Sequence, residues 1–261
     1  MNTVVVIPTF NEAENVEPIT KAVLELGVPD LSILIVDDDS PDGTGRVADR
    51  LASEMEDRVH VLHRTGERGL GRAYVEGFNR AMSLGAESVV QMDADFSHSP
   101  GYLPIFLKLI RDFDVVVGSR YIAHGSVDDR WESSRYVLSR WANLYARTIL
   151  GIEARDTTSG FKCWRRSALE SIDLGRILSD GYVFQVEMTY VAQRLGLSIC
   201  EYPIHFEDRR IGESKMSMPV KLEASWRVFQ VRWRHRGISA IATGRLSSAG
   251  EAGRVRPFGT R

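Results

Sequence analysis

Cysteine is scarce in these 261 residues: Cys163 and Cys200 are the only two, they have no metal-like spacing, and both lie in apolar stretches. That excludes a disulfide framework and a cysteine-built metal centre, and buried free thiols fit a reducing cytosol. An excess of charge of one sign is also missing. The 33 Lys and Arg against 35 Asp and Glu leave a formal net charge of −2, which gives no basic field for nucleic acid. No apolar run approaches the roughly 20 residues that span a bilayer. The opening run, Thr3-Val4-Val5-Val6-Ile7-Pro8, is too short for a signal peptide and lacks its charged start. The expectation is a soluble or peripheral protein.

Glycine is missing where a dinucleotide fingerprint would need it. The turn after the first strand reads Pro8-Thr9-Phe10-Asn11-Glu12, and Gly69-Leu70-Gly71 comes too late in the chain. A Walker-type phosphate loop, a Ser/His/Asp or Cys/His set and internal repeats are likewise absent. His98 stands alone beside two carboxylates, in a turn where a single histidine is more often structural than a ligand or base. With 43% hydrophobic and 26% charged residues, the composition is that of a globular domain with a sizeable core.

Short β-branched runs at 4–7, 32–36, 59–62, 88–92 and 115–118 predict strands buried on both faces. Between them, helical spacing is expected over about 11–26, 44–55, 69–84 and 101–111, with Thr44 capping the second helix. This alternation implies βαβ units, a mainly parallel sheet and right-handed crossovers. Ligands then collect beyond the carboxyl ends of the strands. Those ends carry Phe10 and Glu12, Asp37, Asp93 and Asp95, and Arg120, so polar clusters from four strands converge on one edge. After Tyr121 the alternation stops. A polar loop, helices over 135–150, 183–195 and 219–236, and strands after Lys162 and at 198–204 follow. No linker divides the chain. The expected organisation is one α/β domain over 1–236, with a nucleotide-binding half to about 121, an acceptor half from 122, and a disordered tail at 237–261.

The stretch Val89-Val90-Gln91-Met92-Asp93-Ala94-Asp95 ends an apolar run in two carboxylates separated by one small residue. In extended chain, residues i and i+2 point to one side. Two such oxygens suit a hard cation, Mg²⁺ or Mn²⁺, that keeps waters and takes further ligands from phosphates. The plainer alternative is a pair of solvated turn aspartates. Asp37 is placed to accept hydrogen bonds from a base or ribose. Arg209 and Lys215 flank a glycine-containing loop that either clamps phosphates or is simply a solvated basic loop.

Six blocks carry a family resemblance: Val5 to Glu12, Val36 to Thr44, Gly69 to Tyr74, Met92 to His98, Gly118 to Tyr121 and Gly212 to Met216. Over about residues 3–220 the chain resembles dolichol-phosphate (polyprenol-phosphate) mannosyltransferases, inverting GT-A-fold enzymes among the family 2 glycosyltransferases. The resemblance implies a guanosine pocket lined by Pro8, Phe10, Glu12, Ile35, Val36 and Asp37, with Phe10 where the family usually has tyrosine. It implies a metal and diphosphate site at Asp93, Ala94 and Asp95. Ser97 stands where some relatives have glutamine as a further metal ligand. By the same resemblance Arg120, Arg209 and Lys215 contact donor and acceptor phosphates, and Arg135 and Ser139 receive the lipid phosphate.

The implied reaction transfers mannose from GDP-mannose to a polyprenyl monophosphate. That acceptor is already an anion and needs no general base. The alternatives are glucosyl transfer from a UDP or GDP donor to the same lipid, and a non-catalytic nucleotide-sugar-binding subunit. A lipid acceptor places the protein at the cytoplasmic face of a membrane, peripherally or through a membrane-anchoring partner protein. The final helix mixes Trp226, Phe229 and Trp233 with Arg227, Arg232, Arg234 and Arg236, which suits either an interfacial helix or a surface helix packing its aromatics on the core.

Overall fold

The computed structural model describes residues 1–131, 133–208, 218–238 and 256–257. The first half alternates as expected: β1 (Thr3–Thr9), α1 (Val16–Leu24), β2 (Leu31–Asp37), α2 (Thr44–Glu54), β3 (Val59–His63), α3 (Leu70–Ser83), β4 (Ser88–Gln91), α4 (Leu103–Leu109) and β5 (Val115–Ser119). The second half holds β6 (Ser126–Val127), α5 (Ser133–Leu150), β7 (Lys162–Arg165), α6 (Arg166–Ser171), α7 (Gly181–Arg194), β8 (Ile199–Pro203), β9 (His205–Phe206), α8 (Met218–Arg234) and β10 (Arg256–Pro257). Among the described residues the main sheet has eight strands in the order β10-β8-β5-β7-β4-β1-β2-β3.

All neighbouring pairs of this sheet are parallel except those of β7, which runs antiparallel between β4 and β5. β1, β2, β4 and β5 therefore still end at one edge, and β7 begins there, with Lys162 opposite both Gln91 and Val117. The sheet is buried on both faces. Ile19, Val23, Leu51 and Phe106 cover one side together with Val5, Ile7, Ile33 and Ile35. Tyr74, Phe78, Phe184 and Met188 cover the other, against Val4, Val6, Leu34 and Val36. Each fully buried Val or Ile contributes about 1.5–3 kcal/mol by leaving water. The helix α3 lies so close to the sheet that a Cβ on Gly77 would sit 2.6 Å from Val6 Cγ1.

A third cluster joins α5, α7 and α8 through Ala146, Leu150, Val183, Val186, Tyr190, Val228 and Val231. Glu187 of α7, wholly buried, fastens the end of α8 by accepting from Arg234 Nη1 and His235 Nε2, each at 2.7 Å.

Three expectations change. The first helix begins only at Val16, because Asn11 adopts a left-handed φ of 58° and the next residues bond to the 40–44 turn instead. The N–H groups of Asn11, Glu12 and Ala13 donate to Ser40 Oγ, Thr44 Oγ1 and Asp42 Oδ2 at 3.1, 2.9 and 3.1 Å. Thr44 does not cap α2: Gly43, with φ 94°, holds that position, and the Thr44 hydroxyl donates to Asp42. Within 237–261, the described pair Arg256–Pro257 is strand rather than coil, paired with Cys200 and Glu201 of β8, which would otherwise present an open sheet edge there.

Candidate active site

Strand order reverses between β2 and β4 on either side of β1, and the loops leaving these strands form the crevice where α/β sheets bind ligands. Strand pairing stops at Gln91, so the two aspartates lie beyond the strand in a turn, with Phe96 at a left-handed φ of 63°. The i, i+2 alternation of extended chain therefore does not govern them, and they are fixed separately. Asp93 keeps 35% of its side chain exposed while Tyr74 Oη, from α3, donates to its Oδ1 at 3.1 Å. Tyr74 is itself stacked on Phe184 at 5.6 Å, and burial together with the Asp93 charge raises its phenol well above the ordinary range. Asp95 is buried. Its Oδ1 accepts from the Ser97 N–H at 3.1 Å and the Ser97 hydroxyl at 2.6 Å, so Ser97 orients a carboxylate in this structure.

His98 is wholly enclosed, stacked on Phe161 at 5.0 Å, and its Nδ1 accepts the Asp93 N–H at 3.1 Å. Although Asp93 Oδ2 lies 3.9 Å away, burial lowers the His98 pKa and its Nδ1 lone pair is taken. It is a neutral brace for the turn.

On the other side of β1, Asp37 is 4% exposed at the end of β2. Among the described residues its oxygens have long contacts only: Thr9 Oγ1 at 3.5 Å, the Ser40 N–H at 3.4 Å and His63 Nδ1 at 3.7 Å. The neighbouring Asp38 is instead committed to structure. It accepts from buried Arg64, and its Oδ2 accepts from the Gly69 N–H at 2.8 Å, which ties the Gly69 loop to the same edge. Arg68, in that loop, donates to Asp39 at 2.9 and 3.0 Å and lies over the Phe10 ring at 4.7 Å.

At the end of β5, Arg120 is 9% exposed and gripped by wholly buried Asp156. Its Nε and Nη2 donate to the two carboxylate oxygens at 2.7 and 2.8 Å, its N–H donates to Oδ2 at 3.0 Å, and Nη2 also reaches Thr158 Oγ1 at 2.8 Å. Burial alone would raise the Asp156 carboxyl, but the charge and hydrogen bonds of Arg120, with the Lys162 charge, together outweigh it, so the carboxyl stays below its ordinary value. Asn143 of α5 fixes the turn on either side of Asp156: its Oδ1 accepts from the Thr157 N–H and hydroxyl at 2.9 and 2.6 Å, and its Nδ2 bonds the Arg155 carbonyl. Ser139 meets the Tyr121 hydroxyl at 2.6 Å.

The model of the family described as "Glycosyl transferase family 2" matches residues 4–173. The chain belongs to that family. Among curated relatives, the polyprenol monophosphomannose synthase of Mycolicibacterium smegmatis is 44% identical over 90% of this chain and 88% of its own. The undecaprenyl-phosphate mannosyltransferase of Micrococcus luteus is 45% identical over 89% of this chain and 94% of its own. Among solved structures, glucosyl-3-phosphoglycerate synthase from Mycobacterium tuberculosis, in complex with Mn²⁺, uridine diphosphate and glucosyl-3-phosphoglycerate, superposes with a TM-score of 0.62. That match covers 89% of this chain and 79% of the other at 17% identity, a likeness of fold.

In this family 2 chain Phe10, Glu12, Asp37, Asp93, Asp95 and Arg120 lie just beyond or at the carboxyl ends of β1, β2, β4 and β5, on one edge of the sheet. Ile35 and Val36 are wholly buried on opposite faces of the sheet and are paired with both β1 and β3, so their side chains pack the core rather than the edge. Arg209 and Lys215 lie outside the described residues, as does the side chain of Arg135 in the first turn of α5. Among the described residues no three His, Cys, Asp or Glu side chains form a closed metal cage. One partly exposed and one buried, oriented carboxylate fit a hard cation that completes its shell from water and a ligand's phosphates.

Sequence reasoning missed Asp156, Asn143 and Lys162. Lys162 Nζ, fully buried at the start of β7, donates to Ser159 O, Gln185 Oε1 and Gln185 O at 2.7, 2.8 and 3.3 Å. Burial pushes its pKa down to about 7 while Asp156 draws it back up. It steadies the Ser159-Gly160 turn, where a Cβ on Gly160 would lie 3.2 Å from His98 and 3.7 Å from Asp93 Oδ1. The signal was present: a lone lysine inside the apolar run Phe161-Lys162-Cys163-Trp164 needs buried partners.

Proposed function

We propose that this chain transfers mannose from GDP-mannose to the phosphate of a polyprenyl lipid, with inversion at the anomeric carbon and release of GDP. The observation that carries the reading is the convergence of Asp37, the Asp93/Asp95 pair and the Asp156-held Arg120 at one sheet edge. The names of the two bacterial relatives support mannose as the sugar and a polyprenyl phosphate as the acceptor. Guanosine as the base rests on the motif resemblance. Asp37, with its long contacts, accepts from base or ribose; Phe10 offers a stacking face; Asp93 and Asp95 hold Mg²⁺ or Mn²⁺. When bound, such an ion neutralises charge on the departing diphosphate.

A phosphate oxygen of the acceptor attacks the anomeric carbon, and the bond from that carbon to the diphosphate breaks with its electron pair leaving on GDP. No proton has to be removed, because the attacking phosphate is already ionised. The site agrees: His98 is neutral, enclosed and already bonded. Arg120 supplies fixed positive charge, its Nε and Nη2 spent on Asp156 and Thr158 and its Nη1 left without a hydrogen bond among the described residues. Rate acceleration then comes from orientation and preorganised charge. Arg209, Lys215, Arg135 and Ser139 complete the phosphate contacts in this reading. The protein works peripherally at the cytoplasmic face of a membrane, by its own surface or through an anchoring partner.

The test is transfer of radiolabelled mannose from GDP-mannose to a short polyprenyl phosphate, with and without chelator. Chelator-sensitive product that is labile to mild acid is expected. Preference for a glucose donor would shift the assignment to a glucosyltransferase, and absence of turnover with every donor would leave a binding subunit.

A further inference from the structure

The helices α5 and α8 already possess a buried face, formed by Ala146, Leu150, Val228 and Val231. What they turn outward is nonetheless apolar. Val137, Trp141 and Leu144 of α5 are 64, 54 and 58% exposed, and Trp226, Phe229 and Trp233 of α8 are 67, 43 and 68% exposed. Ring contacts make this one surface: Trp141 stacks on Tyr145 at 5.3 Å, Tyr145 meets Phe229 edge-on at 6.4 Å, and Phe229 meets Trp226 at 6.2 Å. Single exposed apolar residues need no explanation, but a joined band of aromatic rings does.

Beside the band opens a cleft of about 300 Å³ between Tyr121, Trp141, Asn143 and Leu144, into which Arg140, Arg147 and Arg155 converge. None of the three has a carboxylate within 4.0 Å among the described residues, whereas Arg64, Arg120 and Arg234 are each paired. Arg147 Nε is buried without any hydrogen-bond partner among them, and its Nη2 reaches only the Glu153 carbonyl, at 3.4 Å. A buried donor left unmade is costly, so the cleft suits a ligand with several anionic oxygens.

The surroundings say which ligand. Tryptophan and phenylalanine flanked by arginine are the make-up of a surface lying at the headgroup level of a bilayer. Charge complementarity favours an anionic leaflet. We propose that the arginine cleft binds the headgroup of an anionic phospholipid and that the α5–α8 aromatic band rests in the interface around it. This rests on the reading that the acceptor is a bilayer lipid, and it adds a second phosphate site apart from the reacting one. The placement has a consequence for catalysis. The cleft starts at Tyr121, next to Arg120, and Asn143 in its wall fixes the turn whose Asp156 holds Arg120. Seating α5 on the leaflet sets the depth of Arg120 relative to the headgroups.

The test is co-sedimentation of the full chain with phosphatidylcholine vesicles, with and without phosphatidylglycerol, beside mannosyl transfer to a short polyprenyl phosphate in detergent. The wild type is expected to bind the phosphatidylglycerol vesicles preferentially and to release in high salt. R147Q/R155Q should weaken that binding roughly thirtyfold, from about 1 kcal/mol per basic residue at an anionic surface. W226A/W233A, which alters only exposed side chains and keeps the test alive if the arginine variant fails to fold, should weaken binding to both vesicle types. Equal binding to neutral and anionic vesicles, or unchanged binding in both variants, overturns the proposal. So does a stable dimer that covers the band and leaves vesicles unbound. If R147Q/R155Q raises the KM for the short acceptor in detergent as steeply as it weakens vesicle binding, the arginines belong to the reacting site and the second site falls. Loss of detergent turnover in the wild type would instead count against the mannosyl-transfer reading and leave the vesicle result standing.

Discussion

Around β1, β2 and β4 the polar side chains are acidic and internally braced: Tyr74 holds Asp93, Ser97 orients Asp95, and Arg64 and the Gly69 N–H occupy Asp38. Around α5 and α8 the exposed side chains include aromatic rings and arginines, and among the described residues Arg147 Nε is buried without a hydrogen-bond partner. Arg120 stands between the two regions, with Asp156 cancelling its burial cost. The difference is one of timing. The acidic edge is organised in advance for a small ligand of fixed geometry, while the other face acquires its partners from outside the fold.

The largest expected effect breaks the acidic side. D93A should lower transfer by on the order of a thousandfold or more with only a modest fall in the thermal midpoint, because the carboxylate is partly exposed and its loss strands the buried Tyr74 hydroxyl alone. Retained turnover in purified protein would remove the metal role. At the junction, D156N should cost about 3–5 kcal/mol in urea unfolding, since it leaves Arg120 buried beside a neutral amide. The pair also predicts a pH effect. The Asp156 carboxyl is held below its ordinary 3.8, so its contribution is complete above that value and fades as pH falls beneath it. An acid limb unchanged in D156N would contradict this.

Smaller effects sharpen the contrast. K162M should cost about 2–4 kcal/mol by orphaning the Ser159 and Gln185 oxygens, and should lower kcat through the Ser159-Gly160 turn, as stopped-flow and unfolding data together would reveal. S97A removes one hydrogen bond from Asp95 but keeps the Ser97 N–H contact, so about fivefold loss in kcat/KM is expected, seen mainly as a weaker apparent affinity for manganese. A much larger loss would make Ser97 a direct metal ligand.

The acidic edge was legible in the sequence because it follows from period and punctuation. Apolar runs of strand length mark the buried strands, and the residues that end them lie at one edge once helical crossovers make the strands parallel. The antiparallel insertion of β7 was not legible, since a short run such as Lys162 to Arg165 carries no information about direction. Asp156 and Asn143 escaped for a related reason: their roles depend on partners 36 and 14 residues away, and no local pattern encodes that pairing. The sequence placed Trp226 and Trp233 on a helix but left open whether they faced the core; Val228 and Val231 fill that place, which leaves the tryptophans outside.

The central claim is that the carboxylates beyond β4 hold a divalent ion against a nucleotide diphosphate. The most direct measurement is anomalous scattering at the manganese edge from crystals soaked with GDP and Mn²⁺. One peak beside Asp93 and Asp95, with the guanosine over Phe10 and near Asp37, is the predicted result. A nucleotide bound at another surface, or manganese away from both aspartates, would contradict it.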